Sequence, residues 1–160
     1  MLKVGRRLLA VATVACAVAA PAQSTVVQDA RTMRALVNAA RAQHALAPLR
    51  FSPLLDRSAL LKAEAIRRCG SFSHTPCGAS FTRTFQQVGY RYASIGENLA
   101  WGTGTFASPQ SILNAWLTSP AHRANLLNTR WRDVGLAVVD APSFAGHSHV
   151  RIWVLQFGRR

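Results

Sequence analysis

Apolar residues recur at Val26, Ala30, Met33, Val37 and Ala40 with polar and charged residues between them, which is the spacing of one helix face. The pattern predicts an amphipathic helix over Val26 to Ala45, ended before Pro48. Ser52-Pro53 reads as an N-cap followed by proline in the first turn. It opens a second helix through Leu54, Leu55, Ala59, Leu61 and Ile66 to about Arg68. Phe81, Phe85 and Val88 predict a short third helix stopped at Gly89. The serine-proline opening recurs twice. Ser108-Pro109 starts a fourth helix that buries Ile112, Leu113 and Trp116, and Ser119-Pro120 starts one further turn carrying His122, Asn125 and Leu126.

Strand patterns dominate only after these helices. Val134 to Val139 and Val150 to Phe157 are β-rich runs joined by a loop containing Pro142 and Gly146, and they are expected to pair antiparallel. A third strand is expected within Ile95 to Trp101. Helices first and strands late, without βαβ alternation or an internal repeat, predict an α+β domain with helices packed on a small antiparallel sheet.

The opening segment has a different character. Lys3, Arg6 and Arg7 precede an apolar run from Leu8 to Ala20, too short to span a bilayer, and Ala20-Pro21-Ala22 fits a small-x-small cleavage site. Residues 1–22 therefore read as a secretory signal, with 23–160 as a single domain large enough to bury a core. Lipidation at Cys16 is the rival reading, weakened by a threonine three residues upstream. Removing three basic residues from 19 leaves 16 against six acids, a net charge of +10. Such a surface favours anionic partners, yet the arginines are scattered, as on a solvated basic face. Binding that rests on this charge alone is expected to fade as salt rises.

Export changes the reading of the cysteines. Cys69 and Cys77 remain after Cys16 leaves with the signal, and an even, close pair in an exported chain predicts a disulfide. It fastens the segment containing Phe72-Ser73-His74-Thr75-Pro76 and restricts His74. Taken singly, each histidine reads as a satisfied structural residue. Glu97, one of two glutamates in the chain, reads equally as a partner for Arg83 or Arg123. Gly96 before it suggests unusual backbone freedom at that point.

The segments FSHT, GYRYASIGENLAWG, ILNAWLTSPAHRANLLN, VGLAVV and IWVLQF occur in an order and spacing that resembles the CAP superfamily. That superfamily includes the cysteine-rich secretory proteins, antigen-five allergens and plant pathogenesis-related proteins; the short secreted bacterial members look most similar. The resemblance covers about Met33 to Phe157 and implies an α-β-α sandwich with a cleft across one face. It also implies that His74, Glu97 and His122 meet in that cleft, with Asn98 and Ser119 beside them. The family's second cleft glutamate falls on Ser119, which here reads as a helix cap. Two imidazoles and a carboxylate are a competent set for a divalent metal such as zinc, with a position left for water.

The function expected from these residues is a secreted, extracellular or periplasmic, binding or envelope-interaction module. Its expected ligands are anionic lipid, a sterol-like molecule or a cell-wall fragment, with peripheral membrane contact and no specific nucleic-acid binding. A metal-assisted hydrolase using the same cleft is the alternative, and no catalytic residue is assigned. Ser73 and Thr75 flank His74 but point away from it on an extended chain, so neither is a nucleophile activated by that imidazole. His147 and His149 form a rival pair, expected in the loop of the final hairpin.

Overall fold

The computed structural model describes residues 23–160. The expected signal, its cleavage site and Cys16 lie outside the described residues. Five helices and four strands follow in the order α1 (Gln23–Gln43), β1 (Arg50–Phe51), α2 (Pro53–Cys69), α3 (Arg83–Gln87), β2 (Ser94–Thr103), α4 (Pro109–Thr118), α5 (Pro120–Leu126), β3 (Asp133–Phe144) and β4 (His147–Arg159). The strand order is β1-β3-β4-β2. β3 and β2 both pair antiparallel with β4, whereas β1 pairs parallel with β3 at two positions only. The sheet is thus mixed, because a two-residue strand before α2 joins its edge.

Alternation along the central strands explains why they read as continuous apolar runs: both faces are covered. Leu136 and Val138 of β3, with Trp153, Leu155 and Phe157 of β4, pack on Met33 and Val37 of α1, Leu113 and Trp116 of α4 and Leu126 of α5. Ala137, Val139, Ile152 and Val154 face the other way, onto Ala59, Ala63 and Ile66 of α2. The result is a sheet between two helical layers. α2 lies so close to β3 that a Cβ at Gly135 would come within 2.1 Å of the Leu55 carbonyl carbon.

Several local expectations need correction. α1 ends at Gln43, two residues early, because Ala45 takes a left-handed conformation at φ 54. Ser52 occupies the N-cap of α2 but makes no side-chain cap bond, while Ser108 does cap α4, accepting from Ser111 N–H. The final hairpin has a two-residue turn at Ala145 and Gly146, with φ 50 and 81, in place of the expected longer loop. Pro142 lies within β3, where its missing N–H faces the side away from β4 and costs no ladder bond. His147 and His149 consequently belong to β4 and not to a loop.

Candidate functional site

The loop that carries His74 is held at both ends. α2 closes on Gly70 in the left-handed conformation, and Cys69 and Cys77 are joined by a disulfide with Cα atoms 5.6 Å apart. In between, Ser73 Oγ accepts from Thr75 N–H at 3.0 Å and shares a 3.2 Å hydrogen bond with Thr75 Oγ1. The two hydroxyls therefore bond to each other. His74 Nδ1–H donates to Glu97 Oε1 at 2.8 Å, and the ring packs edge-on against Phe81.

Glu97 sits on β2 directly opposite Gln156 of β4. Its side chain is fully buried, so its charge requires partners. Oε2 accepts from Gln156 Nε2 at 2.7 Å, and Oε1 takes the His74 hydrogen bond with the Lys62 ammonium 3.7 Å away. Lys62 Nζ also donates to the His74 carbonyl and lies over the Phe81 ring. Burial pulls the Lys62 pKa below the ordinary lysine value, and the Glu97 charge opposes that shift. One lysine thus anchors both the acid and the loop. Arg83 and Arg123 do not pair with Glu97.

His122 enters from another element. Its Nδ1 shares a 2.8 Å hydrogen bond with Ser119 Oγ, so Ser119 holds the N-cap position of α5 but spends its hydroxyl on the imidazole instead of on a backbone N–H. Asn98, fully buried on β2, donates to the His122 carbonyl at 2.9 Å and accepts from Asn125 at 3.0 Å. Asn125 also donates to the Glu97 carbonyl at 3.2 Å. These amide bonds fasten α5 to β2 and fix His122 relative to Glu97. Desolvation, then the nearby His74, lower the His122 pKa from its usual value. Gly96 is needed for space: a Cβ there would meet the Trp131 ring at 2.8 Å, and its φ is not in the left-handed region.

His74, Glu97, His122, Ser119 and Asn98 are therefore gathered around one end of β2. His147 is not among them. It packs at a tilt against Trp101, ring centroids 5.2 Å apart, while His149 is seven strand residues from Gln156, about 23 Å along β4. Lys62 and Gln156 escaped the sequence reading. Lys62 had a signal, because it shares a helix stripe with Ala59, Ala63 and Ile66, and Gln156 interrupts an otherwise apolar strand.

A model of the cysteine-rich secretory protein (CAP) family matches residues 34–157, most of the chain. The chain belongs to the CAP family. The CAP domain is 32% identical over 123 residues to the uncharacterized protein YkwD of Bacillus subtilis, covering 76% of this chain and 44% of that protein. It therefore spans under half the length of this relative. An extracellular SCP-domain protein of Bacillus anthracis superposes with a TM-score of 0.73 at 20% identity, over 86% of this chain and 42% of that one. An outer surface protein of Borrelia burgdorferi gives a TM-score of 0.70 at 22% identity, over 83% of this chain and 93% of that one. A cysteine-rich secretory protein of Staphylococcus aureus gives 0.68 at 15% identity, over 88% and 40%. At these identities the superpositions establish the CAP fold, and the expected α-β-α sandwich is observed.

The residues fit a metal in one way and not in another. Among the described residues no group of three or more His, Cys, Asp or Glu side chains is arranged to hold an ion. Glu97 has both oxygens in contact with His74, Lys62 and Gln156, so in this arrangement it orients the His74 ring. The two imidazoles do fit. His74 Nδ1–H donates to a carboxylate, which leaves its Nε2 with a free lone pair, and His122 presents the same lone pair in the tautomer whose Nδ1–H donates to Ser119 Oγ.

Proposed function

We propose that this CAP domain is an exported binding module of the cell envelope whose cleft holds a divalent ion of the zinc type on His74 and His122. The observation that carries the reading is the buried carboxylate behind His74: Glu97 fixes the ring through Nδ1, the arrangement that orients metal-binding histidines. Ser119 does the same for His122 with a neutral oxygen. When bound, the ion would supply a Lewis-acid point for an anionic ligand. Lys62 lies beside Glu97 and holds the loop in place, and Asn98 holds α5 against β2. Two protein ligands make a weak site. The descriptions of the structural relatives as extracellular or outer-surface proteins support the export part.

Calorimetry with zinc at neutral pH tests this reading. Binding should be lost in His74→Ala and His122→Ala and retained in His147→Ala. Equal binding in all four proteins would refute the cleft site. A panel of anionic lipids and wall fragments, titrated with and without zinc, tests the envelope role, and turnover in a hydrolase screen of the zinc-loaded protein would favour the enzymatic alternative.

A further inference from the structure

A second surface lies on the opposite edge of the sheet and is independent of the cleft. β3 pairs with β1 only at Asp133 and Val134, so from Leu136 to Asp140 its outer edge has, among the described residues, no strand beside it. The direction of the free groups follows from alternation. The Val134 carbonyl accepts from Ser52 N–H on the β1 side, and Leu136 N–H, on that same side, donates to Asp56 Oδ1 at 2.9 Å. The Leu136 carbonyl, both backbone groups of Val138 and the Asp140 N–H therefore face outward too. This is an edge of about 13 Å with no strand on it.

The edge forms the floor of an apolar groove of about 510 Å³. Its walls are Val26, Val27 and Ala30 of α1 and Leu60 of α2, of which Val27 and Leu60 are 51% and 45% exposed. Two charges in its lining, Arg34 and Asp56, are paired with each other, and outside the lining Arg151 pairs with Asp29 and Asp140. Arg31 and Arg57 remain at the mouth, both exposed and, among the described residues, without a carboxylate partner.

We propose that this groove takes an extended, acidic peptide segment of a partner protein, added to β3 as a further strand. Main-chain bonds to Leu136, Val138 and Asp140 supply pairing, alternate apolar side chains enter between Val27 and Leu60, and carboxylates meet Arg31 and Arg57. Charge selects the acidic partner. A second copy fits poorly, because its own edge is recessed between two helices and it brings the same arginines.

The probe is a fluorescein-labelled, end-blocked eight-residue peptide alternating valine with aspartate or glutamate, titrated into the protein and followed by anisotropy and by amide NMR. Saturable binding with altered Val138 and Asp140 amide signals is the expected result. Arg31→Glu and Arg57→Glu should each weaken it about three- to tenfold, as reversal of an exposed charge does. A peptide N-methylated at alternate residues keeps its side chains and loses its donors, and should not bind. Equal binding of the N-methylated peptide would overturn the proposal, as would displacement by oleate without change in the Val138 signal. Protection of the Val138 amide by self-association without peptide would overturn it in favour of a second copy.

Discussion

Replacing Lys62 by Met keeps the length and apolar stem of the side chain and removes only the ammonium, which isolates what that charge does in the wall of the cleft. Lys62 is 2% exposed and Glu97 fully buried, so the substitution takes the cation from a carboxylate that water cannot reach. Removing one partner of a buried ion pair costs about 3–5 kcal/mol, and a hydrogen bond from a charged donor, here to the His74 carbonyl, contributes about 1.5–3 kcal/mol. Two effects reduce the loss. Glu97 keeps His74 and Gln156, and burial already lowers the Lys62 pKa, so desolvation of the ammonium is relieved. The net expectation is a loss of about 2–3 kcal/mol, or about 6–12 °C in Tm for a domain of this size. Urea denaturation followed by circular dichroism measures it. Glu97→Gln in the Lys62→Met background should restore about half. A loss under 1 kcal/mol, or a double variant no more stable than Lys62→Met, would refute the claim that Lys62 sustains the buried carboxylate.

Three further outcomes are expected. Gly135→Ala drives a Cβ to 2.1 Å from Leu55 C and 2.4 Å from Asp56 N, so it should cost more than about 3 kcal/mol, whereas Gly104→Ala, strained only by φ +50, should cost about 1 kcal/mol in the same denaturation assay. Cys69→Ser with Cys77→Ser should lose about 2–3 kcal/mol and increase amide exchange through residues 70–78; protection equal to that of wild type would mean that Lys62 alone holds the loop. His122 has a lowered folded-state pKa, so its stabilising contribution is complete above the unfolded value of about 6.5 and is lost as pH falls through the folded one. His122→Gln should flatten the fall in stability between pH 7 and pH 5, and an NMR titration placing His122 at or above 6.5 would contradict the account.

Local signals in the chain marked the helix starts and the long strands well. Proline one residue after Ser52, Ser108 and Ser119 marks three helix openings because proline is pre-shaped for the first turn and has no amide proton to lose there, whatever surrounds it. Runs such as Val134 to Val139 announced central strands because a sheet covered on both faces is apolar at every position. Close cysteines announced a bridge. The candidate set His74, Glu97, His122, Asn98 and Ser119 came from family resemblance, since periodicity does not join residues more than twenty positions apart.

What tertiary structure alone decided is the partner of each polar group. Asn98 is a polar residue on a buried strand, and its amide finds the His122 carbonyl and Asn125 only once α5 packs on β2. Glu97 pairs with any nearby donor by type, and its second oxygen meets Gln156, 59 residues away, only once β2 lies beside β4. Gly96 and Gly135 are required by a Trp131 ring and an α2 backbone that approach from remote parts of the chain. The sequence by itself therefore determined the helix starts, the centres of the long strands and which faces turn inward, because those follow from short-range geometry and burial, whereas β1 and the extent of the final hairpin did not show in it. Competition among hydrogen-bond acceptors and the closeness of packing are long-range quantities, and they exist only after the layers have closed.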